Sequence, residues 1–410
     1  MVAIYEKLKE QPKHVPDSRV VDFDLYDMPL VQDGWYESLL TLKRDGRPDI
    51  VWTPYNEGHW IVTSARAIKE VLADHRRFSN RVFIVPKSIG EKLYFAPLSI
   101  DPPDHHRFRM PLNEALWAPK VVARLEPQIR ETVRNLVVAI EGQGQCDFVS
   151  DVAEALPMLV FMRLVNLPME DANTLRSFAG KVSRPSGKVG EAEEGLRDLT
   201  EYLARVVDER MGKGGDDLLA TILNRNVDGR QLSKSEAIAV CTNALFGGLD
   251  TLLTFLGFAM AFLAQNPSHR AELVRDSSLL PRAMEELFRR FSVGNAAREV
   301  VEDCELDGVQ LKKGEMVLIP LPLAGLDETE NQDPLKVDFH RKSPSHAAFG
   351  QGIHFCPGAN LARLEVRILL EEWFKKIPDF SVPAGCKLSY SGGVVGKIDG
   401  LPLVWSRSLN

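Results

Sequence analysis

Of the five cysteines in this 410-residue chain, Cys356 stands where a sulfur could do chemistry. It lies in Phe349-Gly350-Gln351-Gly352-Ile353-His354-Phe355-Cys356-Pro357-Gly358. The glycines let the backbone turn tightly and come close to a flat ligand where a Cβ would collide. A thiolate presented from such a loop can be the fifth ligand of a haem iron, pushing electron density toward O–O cleavage. Iron would keep the sulfur deprotonated, against a free thiol pKa of about 8.5. Loop amides should hydrogen-bond the sulfur and set its potential, and Pro357 removes one of them.

Three other groups carry chemistry. His105 and Arg109 are four apart and share a helical face, where cations suit carboxylates such as the two haem propionates; His106 reads as solvated. In Ala244-Leu245-Phe246-Gly247-Gly248-Leu249-Asp250-Thr251, an acid and a hydroxyl sit mid-core in an apolar helix, and an ionisable group there needs a partner or a job. One reading pairs Asp250 with a Lys or Arg and bonds Thr251 back to its own helix. The two glycines cost roughly 1 kcal/mol each, tolerable where a ligand approaches or the helix bulges. Glu286 and Arg289 can pair at i,i+3.

The elements that position these groups are mostly helical. The cysteine loop runs into a helix, 359–376, whose N-terminal dipole points at the thiolate. Ser233-Lys234-Ser235-Glu236 is a capping box opening the longest helix, which runs to about Ala264 before Asn266-Pro267. Further helices are expected over 36–45, from the Ser64 cap to about Asp74, after Asp101-Pro102-Pro103, and over 119–141, 149–165, 170–181 and 191–212. Ser183 to Lys188 breaks the last pair. Asp49 to Thr53 and His59 to Thr63 read as a β-hairpin, Gly308 to Pro320 as a second one around Lys312-Lys313-Gly314, and Leu388 to Trp405 as β-like. Residues 79–100 are irregular yet apolar (Val82, Phe83, Ile84, Leu93, Tyr94, Phe95, Leu98), which is uncommon unless functional. The class is mainly α with small β-sheets, one large helix-rich domain over 1–410.

Composition is ordinary for a globular protein, 44% hydrophobic and 26% charged. A net charge of −7 excludes general nucleic-acid affinity. Cys146, Cys241, Cys304, Cys356 and Cys386 are scattered without a Cys-x-x-Cys, which fits a reducing cytoplasm. Met1 to Asp24 carries no signal-peptide core or membrane anchor, and Asp250 interrupts the one long apolar run, Ala237 to Gln265. A cytoplasmic monomer that meets no membrane is expected.

The sequence resembles the cytochrome P450 family along nearly its whole length, and the cysteine loop matches that family's ligand loop. It is most similar to the bacterial camphor-hydroxylase branch, through His354 and through Gly58-His59-Trp60, Ser99-Ile100-Asp101-Pro102-Pro103, Gly247-Gly248-Leu249-Asp250-Thr251, Glu285 to Ser292 and Leu401 to Trp405. The resemblance implies the cytochrome P450 fold, with haem b between the long helix and the cysteine-loop helix, Cys356 as axial ligand, Phe349, Gly350 and Gly358 around it, and His105, Arg109, Arg298 and His354 on the propionates. That branch keeps the Arg but usually not the His of the His105/Arg109 pair, and it has an acid where Ala296 stands. Asp250 and Thr251 would relay protons toward dioxygen. Glu286, Arg289 and Arg341 would form a structural triad holding the cysteine loop.

The implied reaction is monooxygenation with O2 and outside electrons, since no flavin, nicotinamide or iron–sulfur segment is present. The usual donors are a [2Fe–2S] ferredoxin and a FAD-containing, NADH-dependent reductase; Arg109, Arg363, Lys69 and Arg76 match basic docking positions. Substrate positions would be Phe83, Leu93, Tyr94, Asn243, Phe246, Gly247, Gly294 and Val394. The branch holds its ketone with a tyrosine; the ungapped count gives Leu93, with Tyr94 beside it. Asn243 and Phe246 replace aliphatics, and Gly294 replaces a valine. A small cyclic terpenoid or norisoprenoid ketone such as an ionone is expected, with camphor as the alternative. A peroxide-driven haem-thiolate enzyme and a non-catalytic haem sensor also use such a cysteine loop, but neither needs a proton relay.

Overall fold

The computed structural model describes residues 7–117, 119–183 and 191–407. Its spine is the helix Lys234–Gln265. Ser233 Oγ accepts from the Glu236 amide, and the Glu236 carboxylate accepts from the Ser233 amide, so the capping box is complete. From Leu252 to Ala264 nearly every residue is buried. Among the described residues, this is the one helix long and apolar enough to cross a membrane, and most of that stretch is buried inside the fold.

Around the spine pack Ala155–Leu164, Glu191–Arg210 and Leu218–Asn224, with Ala172–Ser183 lying along Glu191–Arg210. The Ser183 to Lys188 breaker lies outside the described residues after Ser183. The helix Ala359–Lys376 lies along Pro119–Glu141, where Arg130 bridges Glu126, Glu371 and Glu372. Ser64 caps the helix Ala65–Ala73 by accepting from the Ala67 amide. Several helices escape the sequence reading, among them Leu218–Asn224 and Pro267–Arg275. Leu218–Asn224 is capped by Asp217, and Pro267–Arg275 uses as its start the same Asn-Pro that stops the long helix.

A five-stranded sheet runs in the order Ile50–Thr53, His59–Val62, Met316–Pro320, Asn295–Val300, Phe78–Ser79. The first two form the expected hairpin. The second hairpin is misplaced in the sequence reading. Val309–Leu311 pairs back with Cys304–Leu306 across Asp307 and Gly308, both at positive φ. Met316–Pro320 instead inserts between His59–Val62, in parallel, and Asn295–Val300, antiparallel. Asp-Gly is the dipeptide that a two-residue turn with both central φ positive favours. Lys312-Lys313-Gly314 is only the bend between two sheets.

Candidate active site

The cysteine loop closes on itself. The Cys356 amide donates to Phe349 O at 2.8 Å, and a 3₁₀ turn covers Gly352–His354. Gly352 has φ +71°, and a Cβ there would stand 3.0 Å from the Ala73 Cα and the Leu72 carbonyl. The loop thus rests on the end of Ala65–Ala73 at a point only glycine can occupy. The Gly358 amide donates to Cys356 Sγ. Pro357 brings no amide, so the hydrogen bond on the sulfur comes from the residue after it. Burial raises the thiol pKa, while the Gly358 amide and the guanidinium groups of Arg109 and Arg363 pull it down. Gly350 turns the chain at φ +71°. Phe349 lies against Phe288 with ring centroids 4.8 Å apart, and the Arg363 guanidinium sits 4.4 Å over its ring.

Beside the loop, four cationic or potentially cationic groups converge. His105 and His354 meet edge to face at 4.6 Å, and each leaves its Nε2 buried without a hydrogen-bond partner. Arg298, on the strand Asn295–Val300, is 5% exposed; its one side-chain hydrogen bond goes to Ala297 O. Burial lowers its pKa to about 10. Arg109 donates to Asn113 Oδ1 and to Phe355 O, and meets no carboxylate among the described residues. Burial, then the neighbouring His354 and Arg109 charges, hold His105 down at about 4. Among the described residues, one acid lies within ion-pair reach of this group. Asp101 lies 3.7 Å from His354 Nε2 and accepts from the Ser79 hydroxyl and the Asn80 amide. Burial opposes its ionisation, but these partners outweigh burial and hold it at about 2. Buried donors left without partners are costly. A ligand with two carboxylates would satisfy them, so the set fits haem propionates.

Asp250 and Thr251 sit midway along the long helix, on its less buried face. The long helix is continuous from Asn243 to Thr251, where Gly247, Gly248 and Thr251 are exposed and Asp250 is half-buried. A Cβ on either glycine would meet nothing within 4 Å. Thr251 Oγ1 donates to Gly247 O at 2.7 Å, as in the back-bonded reading. Asp250 has no ion pair among the described residues, unlike the paired reading. Asn243, Gly247 and Asp250 line one helical face.

Glu286 and Arg289 are fully buried and joined by two bonds of 2.7 and 2.8 Å, and Arg341 Nε reaches the same carboxylate at 3.0 Å. Arg289 also donates to Gly325 O, Pro334 O and Lys336 O, and the Asp338 amide donates to Glu286. The triad therefore fixes the segment leading to the cysteine loop.

Two basic positions expected to face a partner are already neutralised. Lys69 pairs with Glu330 at 2.8 Å, and Arg363 makes a two-pronged pair with Glu285, which His346 also approaches. Arg109 is half-buried, and Arg76 is exposed.

Around the exposed stretch of the long helix, Phe83 meets Phe95 at 5.9 Å and Phe95 meets Phe246 at 6.0 Å, both edge to face. Phe95 thus packs between two of the expected substrate positions, and its place in the apolar 79–100 loop was the signal for it. Gly294 bridges Val395, and the neighbouring Asn295 amide donates to Val394 O, so Gly294 and Val394 come together. Tyr94 is a correction. It is 57% exposed, and its hydroxyl feels Glu236, Arg107 and Asp104 on the outer side. With Leu93 it lines an open groove of about 340 Å³ that also holds Arg81, Glu91 and Lys92.

Glu365, on the helix Ala359–Lys376, is a buried acid that sequence reading missed, because its i,i+4 neighbours Leu361 and Leu369 mark the apolar face. It is 3% exposed with Oε2 unpartnered, and burial pushes its pKa up to about 8. A carboxyl held neutral in the fold favours folding below its ordinary pKa, and that contribution fades as pH rises toward 8. Glu365→Gln should therefore raise the melting temperature at pH 8 by more than at pH 5, worth about a few kcal/mol. Equal shifts at both pH values would show that Glu365 is ionised in the folded protein.

Comparisons with known proteins agree with this geometry. The family model described as Cytochrome P450 matches residues 172–382. The chain is similar to "Probable cytochrome P450 127A1" of Sinorhizobium fredii, 31% identical, covering 96% of this chain and 97% of the relative. It is also similar to cytochrome P450 monooxygenase PikC of Streptomyces venezuelae, 31% identical over 91% of each. Among solved structures, CYP101J2 superposes with a TM-score of 0.91 at 38% identity, and CYP101C1 with 0.91 at 36%, each covering 97% of this chain and 100% of the other.

Proposed function

Starting from the fact that this chain belongs to the cytochrome P450 family, we propose that it hydroxylates a small cyclic terpenoid or norisoprenoid ketone, ionone-like in shape. The enzyme is a cytochrome P450 monooxygenase that uses haem b with an axial cysteine thiolate, O2 and external redox partners. The finer reading assigns a [2Fe–2S] ferredoxin and a FAD-containing, NADH-dependent reductase as those partners, and the cytoplasm as the compartment.

The observation that carries the substrate reading is the Phe83, Phe95 and Phe246 wall beside the exposed helix face, with the Asn243 amide one turn before Phe246. An aromatic wall suits a compact apolar ring, and a single amide donor suits one ketone oxygen. Camphor is the second reading. Its branch anchors the ketone with a tyrosine, and the outward Tyr94 speaks against that anchor here.

Haem, when bound, activates dioxygen and delivers one oxygen atom to an unactivated C–H bond. Cys356 supplies the ligand, and the Gly358 amide steadies the sulfur. Arg109 and Arg298 would hold the propionates by charge, and His105 and His354 through imidazole nitrogens that lack a hydrogen-bond partner. Thr251 can release Gly247 O and turn its hydroxyl toward a water in the exposed stretch. Asp250, half-buried and unpaired, can swing between solvent and pocket with a proton. The phenylalanine wall excludes bulk water from the reacting bond.

Spin-state titration of the ferric enzyme tests the substrate reading. β-Ionone should shift the Soret band fully at micromolar concentration and camphor only weakly. A full shift with camphor and none with β-ionone would replace the ionone reading with the camphor one.

A further inference from the structure

We infer that Asn80 is a positioning residue for the substrate wall: its buried side-chain amide fixes the turn that carries Phe95, and so sets where the middle ring of the wall stands. The inference rests on the aromatic-wall reading above and deepens it, naming a specificity determinant that acts on the substrate through Phe95.

Asn80 follows the two-residue strand Phe78–Ser79 and is fully buried. Its Nδ2 donates to Leu98 O. Leu98 lies inside a turn that Phe95 and Ser99 close on each other: the Phe95 amide donates to Ser99 Oγ and the Ser99 amide to Phe95 O, each at 2.9 Å. Holding Leu98 O therefore holds the turn, and the turn holds the Phe95 backbone. The Phe95 ring stands between Phe83 and Phe246. A shift of the turn would move that ring while Phe246 stays on its helix.

The same residue reaches the cationic group beside the cysteine loop. The Asn80 amide donates to Asp101 Oδ1 at 3.1 Å, and the Ser79 hydroxyl donates to the other oxygen. Asp101 Oδ1 is the atom that lies 3.7 Å from His354 Nε2. Asn80 thus holds Asp101 with its backbone and the wall turn with its side chain. Phe83 is tied to the same region, since its carbonyl accepts from the Ala297 amide at 3.0 Å and Ala297 precedes Arg298. Two of the three wall rings are therefore placed relative to the groups that fit the propionates. Asn80 Oδ1 is buried and has no hydrogen-bond partner among the described residues. A buried amide satisfied on one side only adds little net stability, because the unpaired acceptor offsets the bond that the donor makes. What the donated bond changes is where Leu98 sits. A binding wall whose support is loose is present but misplaced.

The test uses the haem-loaded enzyme and two iron ligands. Imidazole reads the iron alone, and 4-phenylimidazole adds an apolar ring that must lie against the wall. Asn80→Ala should weaken 4-phenylimidazole binding about tenfold, as expected for one lost hydrogen bond. Imidazole affinity and the thiolate-type CO spectrum should stay at wild-type values. β-Ionone should bind more weakly, and its hydroxylation should spread over more than one carbon. Ser99→Ala loosens the same turn and should move the same readouts in the same direction; if Asn80→Ala does not load haem, Ser99→Ala takes its place. In a Phe95→Ala background, Asn80→Ala should weaken 4-phenylimidazole by less than about twofold, because the ring it positions is gone. Unchanged 4-phenylimidazole affinity in Asn80→Ala, or losses that multiply in the double variant, would overturn the inference. If Phe95→Ala alone leaves 4-phenylimidazole affinity unchanged, the wall reading and the inference fail together. If the wild type binds 4-phenylimidazole but not β-ionone, the ionone reading fails by itself, and the double variant still decides the role of Asn80.

Discussion

Cys356→Ala should abolish the thiolate-type CO spectrum and reduce substrate hydroxylation to background. The sulfur is the one group in the loop that can donate charge to iron, and O–O cleavage depends on that donation. No other cysteine can replace it: Cys146 and Cys241 are buried elsewhere in the core, Cys386 is exposed, and Cys304 lies on a separate two-stranded sheet. Removing the sulfur leaves the Gly358 amide without its acceptor and Arg109 facing no thiolate charge. The loop itself should persist, because the Cys356 amide bond to Phe349 O and the Glu286 triad do not involve the side chain. Haem would then be held through its propionates alone. A thiolate-type spectrum in the alanine variant would overturn the assignment.

The second large effect is on stability. Glu286→Gln removes the single charge that balances two guanidinium groups, one of them fully buried. Breaking a buried pair by removing one partner costs about 3–5 kcal/mol, since the remaining charge stays desolvated. The cost should concentrate in the segment before the cysteine loop, because Arg289 also carries the carbonyls of Gly325, Pro334 and Lys336. Purified Glu286→Gln should therefore lose its thiolate-type CO spectrum on mild heating well before the wild type does. Matching heating curves would mean that the triad's backbone bonds alone hold the loop.

Much of this was legible in the residues because the signals are local. The capping box at Ser233, the Ser64 cap and the glycine-flanked cysteine each act within a few positions. What escaped is long-range. Lys69 and Arg363 read as free cations because Glu330 and Glu285 are distant in sequence. The orphaned nitrogens of His105 and His354 exist only because Asp104-to-Leu116 chain and cysteine loop fold against each other. Tyr94 and Leu93 are one position apart on an irregular loop with no period to say which faces inward. The misplaced hairpin had a local signal in Asp307-Gly308, overlooked in favour of a lysine pair that carries no turn preference.

The five-stranded sheet also sets a timetable for biosynthesis. The strand His59–Val62 waits for its parallel neighbour Met316–Pro320, which leaves the ribosome roughly 250 residues later. At about 5–20 residues per second, that wait is on the order of tens of seconds. Throughout it, Trp60 and Ile61 sit on an open strand edge, a template for pairing with other nascent chains. The cysteine loop emerges later still, so the haem ligand is made only after every strand of this sheet has been synthesised. Slower translation lengthens the exposed interval, and holdase chaperones acting on the first hundred residues should improve the yield of loaded enzyme more than added haem does.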